Sequence, residues 1–259
     1  MATTYPFKIM EKDIIYNCDC IKGLNEMPDN SVDAVITSPP YNYNLRIQNG
    51  KYTRRSLNDK TKYNKAYNDA MSMDEYFKWQ RNCIAEMLRV SRGLVFYNIQ
   101  MINGNKLALF RLMGYFSEYI KEVIIWDKNN AEPAIHDGVI NSRYEYIIVL
   151  DKINAISRQF NVFNSNRGTV DNIWKIGKNT ERGIANHNAM FPVDLPRKII
   201  QLFTRQNDLI LDPFMGGGTT AVACVLERRH FIGFEINNEY FVNSIKRIEN
   251  TKNQLSLFD

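Results

Sequence analysis

Apolar residues along this chain fall into short continuous runs that alternate with longer stretches of helical spacing. Residues 13–18 (DIIYNC) and 32–37 (VDAVIT) are brief and β-branched, and they stop at Asp19 and at Ser38-Pro39-Pro40. Both read as buried strands ending in turns. Residues 43–70 hold no stable period and read as a long loop. From Ser72 to Val90 the period lengthens: Tyr76, Phe77, Ile84, Met87 and Leu88 recur at helical spacing. Ser72, with Glu75 three residues on, supplies the capping signal for that helix. A strand over 93–99, a helix over 104–115 and strands over 122–128 and 145–152 follow. Residues 153–190 lose the pattern and collect Asn, Arg, Gly and Ser. The remainder reads as a helix over 195–205, a strand over 209–212, a helix over 220–229, a strand over 230–236 and a closing amphipathic helix. Pro196 is tolerable because it falls in a first turn. Strands alternating with helices predict an α/β fold, a mainly parallel sheet wound on both faces.

Composition narrows the setting. Of 259 residues, 44% are hydrophobic and 24% charged, the balance of a soluble globular protein. The first residues carry charges inside any apolar core a signal peptide would need, and no apolar run reaches the roughly 20 residues of a membrane span. Cys18, Cys20, Cys83 and Cys224 form no C-x-x-C pair, and there are three histidines. A zinc site or disulfide framework is therefore not expected, and a reducing cytoplasm is. The net charge of +5 is matched by the local excess within 43–70 alone. There Arg46, Lys51, Arg54, Arg55 and Lys60 interleave with Tyr43, Tyr52, Tyr63 and Tyr67. That segment reads either as a solvated loop or as one that meets phosphates.

Two turns carry chemistry. In LILDPFMGGGTT (209–220) a strand runs into three glycines and then a helix, which is where backbone must turn tightly and admit a ligand. Glu235 ends the next strand, 23 residues after Asp212. That is near the spacing at which an acid holds ribose hydroxyls. Asp212 and Pro213 between strand and glycines would repel a pyrophosphate and suit a ligand with an ammonium group. No Gly-Lys-Ser/Thr follows, so a P-loop is excluded. The second turn, Ser38-Pro39-Pro40-Tyr41, is stiffened by its prolines. The Ser38 hydroxyl and the Pro39 carbonyl can accept from an –NH₂, and the Tyr41 ring offers a stacking face. In a parallel sheet both turns reach the carboxyl ends of the strands, where ligands bind.

Together these residues resemble the DNA amino-methyltransferases, which modify adenine N6 or cytosine N4. Ser38-Pro39-Pro40-Tyr41 matches their catalytic motif, and Phe214, Gly216 and Gly218 match their cofactor motif. The catalytic motif comes first, which resembles the circularly permuted β-group. The resemblance implies S-adenosylmethionine as cofactor, held by Asp19, His187, Phe191, Asp212, Phe214, Gly216, Gly218, Thr219 and Glu235. It also implies double-stranded DNA as partner, with the target base flipped into the site, and no membrane. A homodimer and a companion restriction endonuclease are further partners it allows. On this reading 1–152 and 187–259 form the catalytic domain, 153–186 a small target-recognition region and 43–70 a mobile basic loop that contacts DNA. Ser38 leans the target to cytosine N4, with adenine N6 the alternative. An RNA or glutamine methyltransferase, or a nucleic-acid-binding protein without catalysis, are the competing classes.

Overall fold

The computed structural model describes residues 10–48, 51–54, 67–132, 137–177 and 191–256. In chain order the elements are β1 (Ile14–Tyr16), α1 (Cys20–Glu26), β2 (Ala34–Thr37), β3 (Leu45–Gln48), β4 (Lys51–Arg54), α2 (Met73–Val90), β5 (Val95–Ile99), α3 (Lys106–Tyr115), β6 (Ile120–Glu132), β7 (Ser142–Leu150) and β8 (Ile173–Lys175). Then come α4 (Asp194–Phe203), β9 (Leu209–Asp212), α5 (Thr219–Leu226), β10 (His230–Phe234) and α6 (Asn238–Leu255). Eight strands form one sheet in the order β1-β10-β9-β2-β5-β7-β6-β8. The pairings leave β7 antiparallel to its neighbours and the other seven strands pointing one way.

Alternation along the strands explains why both faces are covered. Val35, Val95, Leu211 and Ile232 point into a core shared with α1, α2 and α3. Their neighbours Ile36, Phe96, Ile210 and Phe231 point into a second core shared with α4, α5 and α6. A strand buried on both faces must be apolar throughout, which is why VDAVIT and LILD read as continuous runs rather than alternations. The expected doubly wound sheet is what forms. The winding reverses between β9 and β2: β9 is followed across α5 by β10 on one side, and β2 by β5 on the other. A crevice at the carboxyl ends of two such strands is where open α/β sheets bind ligands.

Local signals place the flanking helices. Ser72 accepts from the Glu75 amide and the Glu75 carboxylate accepts from the Ser72 amide, so α2 opens with the expected capping box. Asp19 caps α1, accepting from the amides of Ile21 and Lys22.

Two expectations are corrected. The loop expected over 43–70 contains an antiparallel hairpin, β3 with β4, in which Gln48 faces Lys51. Strands of four residues are too short to show a period, but the Asn49-Gly50 dipeptide between them is a strong hairpin signal. The patternless stretch from 153 supplies β8, which pairs with β6 and buries Trp174 at 1% exposure. Its ring packs in the core of the second face, beside the cluster of Phe160, Phe163 and Phe203. Among the described residues no helix is long and apolar enough to cross a membrane.

Candidate active site

The glycine turn after β9 is built largely from residues that follow it in the chain, with Thr37 tied in from β2. Asp212 is 2% exposed, and its carboxylate accepts from Thr37 Oγ1 at 2.6 Å, Thr220 Oγ1 at 2.6 Å and the Phe214 amide at 3.0 Å. Burial pushes its pKa up to about 6, with the threonine hydroxyls working against the rise. The contact to Thr37 ties the end of β9 to the end of β2, so Asp212 holds the two turns together. Its oxygens accept from three donors of the protein itself while the residue still lines the cleft described below.

Gly216 and Gly218 adopt φ of +53° and +79°. A side chain at Gly218 would also strike Ser244 on α6, 2.9 Å from an added Cβ. Only glycine meets both demands. Arg247 of α6 donates to the Gly217 carbonyl and to Thr219 Oγ1, clamping the turn from behind.

Glu235 follows β10 and is 8% exposed. Its Oε2 accepts from the Gly216 amide and its Oε1 from the Asn237 amide, each at 2.7 Å. Burial raises its pKa to about 7, against the pull of those two amides. The two carboxylate oxygens retain lone pairs for further donors.

Between the two turns opens a cleft of about 880 Å³, counting its mouth. Of the residues expected to bind or act, Asp19, Ser38, Pro40, Phe191, Asp212, Phe214, Gly216, Thr219 and Glu235 line it. Its acids are Asp19, Asp212 and Glu235, and no lysine or arginine lines it among the described residues. That field favours a cationic ligand and disfavours a phosphate. Trp79 of α2 and Tyr67 also line the cleft. Trp79 meets the Phe214 ring edge-on at 5.6 Å, giving the cleft an apolar wall. Trp79 was missing from the expected set, because it lies on the helical stripe of α2 and reads as core, and Tyr67 was expected only among the aromatics of the basic segment. Cys18 lines the same cleft, but burial lifts its pKa to about 11, so it rests as the neutral thiol.

The catalytic turn is placed differently. Pro39 is buried, and the Pro40 carbonyl accepts from Tyr76 Oη at 2.8 Å. Tyr41 is 7% exposed and does not line the cleft. Its hydroxyl donates to Glu145 and its ring packs on Tyr43, so the open stacking face expected of it is turned inward. Asn42 pins the turn from the other side, donating to the carbonyls of Met71 and Gly104 and accepting from the Met71 amide. Arg46 and Lys51 are exposed on the β3–β4 hairpin. His187, Arg55, Lys60 and the Arg54 side chain lie outside the described residues.

A family model described as DNA methylase matches residues 32–246. The chain is 30% identical to the Type II methyltransferase M2.MboI of Moraxella bovis over 90% of its own length and 86% of that protein. It is 27% identical to the Type II methyltransferase M.BglII of Bacillus subtilis over 93% of its length and 69% of that protein. Among solved structures, the cytosine-N4-specific PvuII DNA methyltransferase superposes with a TM-score of 0.68 at 18% identity, covering 93% of this chain and 91% of that one. At that identity the likeness speaks for the fold. The M1.HpyAVI–SAM complex matches with a TM-score of 0.59 at 25% identity, covering 90% and 98%. With the motif order, the doubly wound sheet and the two turns on one cleft, these matches establish that the chain belongs to the N6/N4 DNA methylase family.

Proposed function

We propose that this cleft takes S-adenosylmethionine at the glycine turn and the exocyclic amine of a flipped DNA base at Ser38. The observation that carries the reading is the meeting of the two turns, joined by Thr37 and Asp212, around one acidic cleft. The cleft fits the cofactor on its own chemistry: a carboxylate at Glu235 for ribose hydroxyls, apolar walls for the adenine, and an acidic lining for the cationic end. The cofactor supplies an electrophilic methyl group. Phe214 and Phe191 would close its flanks, Gly216 would let backbone approach it, Gly218 gives the turn the conformation that packs on Ser244, and Thr219 opens the helix behind it. His187 belongs to the same set by the family motif.

On the acceptor side, Ser38 Oγ and the Pro39 carbonyl accept from the amine, drawing its lone pair out of conjugation. Holding the amine in line supplies much of the rate, as orientation does generally. Cytosine N4 rests on serine at the first motif position. The motif order, catalytic half first, supports reading the chain as a permuted member. Arg46 and Lys51 on the hairpin, with the recognition region 153–186, whose β8 lies at the sheet edge, contact the duplex, and the Type II relatives point to a companion restriction endonuclease. A homodimer is the assembly the family allows. Digesting DNA from an expressing host to nucleosides tests the base. N4-methylcytosine is expected, and N6-methyladenine alone would overturn the choice.

A further inference from the structure

Behind Ser38 and Tyr41 lies a buried polar chain whose other members, Asn98, Lys128 and Glu145, belong to neither motif. Lys128 on β6 and Glu145 on β7 form an ion pair, Nζ to Oε1 at 3.3 Å, with side chains 2% and 9% exposed. The other carboxylate oxygen accepts from Tyr41 Oη at 2.8 Å and from Asn98 Nδ2 at 2.9 Å. Tyr41 Oη lies 2.7 Å from Ser38 Oγ and 2.9 Å from Asn98 Nδ2. Asn98 Oδ1 is buried without a partner among the described residues, so this amide is turned to donate.

We propose that the Lys128–Glu145 pair sets the direction of this hydrogen-bond chain, makes Ser38 a pure acceptor toward the target base, and so selects an amino group over a carbonyl. The proposal rests on the reading of Ser38 as the hydroxyl that meets the base. An ammonium and an amide nitrogen only donate, so donors face both oxygens of Glu145. Tyr41 has one hydroxyl hydrogen, and it goes to Glu145. The Tyr41 oxygen therefore accepts from Ser38, whose single hydrogen is spent there. Asn98 Nδ2 also lies 3.4 Å from Ser38 Oγ, so what Ser38 turns to the cleft is acceptor capacity and no hydrogen. An exocyclic –NH₂ donates to the serine oxygen, whereas a carbonyl oxygen at the same place would set lone pair against lone pair. A mismatch of that kind in a desolvated site is what gives large discrimination between analogues. Buried ion pairs seldom add stability, and a role in polarity accounts for this one. Glu145 and Lys128 are thus positioning residues that act through Tyr41.

Glu145→Gln tests this, because its –NH₂ can donate to Tyr41, free the tyrosine hydrogen for Ser38 and turn the serine hydrogen toward the cleft. The substrate is the duplex carrying the site methylated in an expressing host. Its counterpart has uracil in place of cytosine, or hypoxanthine in place of adenine, at the target. Affinities for both are measured with S-adenosylhomocysteine present, and the change in the oxo-to-amino ratio on mutation is read, since the mismatch affects wild type and variant alike. A fall of about tenfold in the preference for the amino base is expected, with kcat reduced and cofactor affinity unchanged. Tyr41→Phe cuts the chain and leaves the ion pair whole, so it decides the matter if Glu145→Gln does not fold. An unchanged ratio in the folded variant overturns the proposal, even where kcat falls, because that is what a merely structural role would give. A wild-type protein that methylates no DNA would instead overturn the function from which the proposal starts.

Discussion

The two sides of the cleft are assembled by different means. On the cofactor side, most contacts that shape the turn join residues close in sequence, Asp212 to Thr220, Glu235 to Asn237 and Glu235 to Gly216, and Thr37 adds a distant tie to Asp212. On the catalytic side, Ser38 and Tyr41 are held by Asn98, Glu145 and Lys128, from β5, β7 and β6. A locally closed turn can be rigid before the rest of the chain packs. A turn held by residues some 60 to 100 positions away is set only when the sheet is complete. Variants of the first side should therefore cost cofactor affinity, and variants of the second should cost turnover and base choice.

The largest effect is expected from Glu235→Ala measured at pH 8, where the carboxylate form that would accept two hydroxyls prevails. Cofactor affinity should fall roughly 100-fold or more by calorimetry, at about 1.5–3 kcal/mol for each charged hydrogen bond. DNA affinity should stay within a few-fold. A matching loss of DNA affinity would break the division between the two sides.

Next comes Gly218→Ala. Its φ of +79° and the 2.9 Å approach to Ser244 make any side chain costly. Denaturant unfolding should show a loss of about 1–3 kcal/mol. A neutral result would mean that the turn is less constrained than its geometry implies.

A pH effect follows from the same carboxylate. Burial raises Glu235 to about 7, so near neutrality it is half protonated. The carboxylate accepts hydroxyls and the acid form does so poorly. Cofactor affinity should accordingly decline as pH drops through 7, by about tenfold between pH 8 and 5.5, and Glu235→Gln should flatten the profile. The sign for folding is opposite. A carboxyl whose folded pKa is raised favours the protonated state, so the cofactor-free protein loses this contribution as pH rises from about 4.5 to 7.

The smallest effect sits on the hairpin. Arg46→Ala and Lys51→Ala should each lower the slope of log affinity against log salt by about 1 if each residue meets one phosphate. Cofactor affinity should not change. An unaltered slope would remove the hairpin from the DNA contact.

The same contrast governs what could be read from the chain. The strands were legible because burial on both faces leaves continuous apolar runs, and α2 because Ser72 and Glu75 announce it. The cofactor turn was legible because glycine, proline and acid stand in one short segment. The hairpin was missed because a four-residue strand shows no period, and its signal was the Asn49-Gly50 dipeptide. Trp79 was hidden in a helical stripe that equally marks core. Glu145 and Lys128 were invisible for a deeper reason. In EYIIVLDK the glutamate reads as the polar edge of a strand, and only the order β5-β7-β6 brings it beneath Ser38. Tyr41 shows the reverse case: its motif was plain, but the direction its hydroxyl faces depends on those distant partners.

The most direct test of one cleft holding both donor and acceptor is transfer of labelled methyl from S-adenosylmethionine to unmethylated DNA, followed by nucleoside analysis. The account predicts label on an exocyclic amine with the wild-type protein, and its loss with Ser38→Ala while cofactor affinity is kept. Tight DNA binding with no label transferred would contradict it.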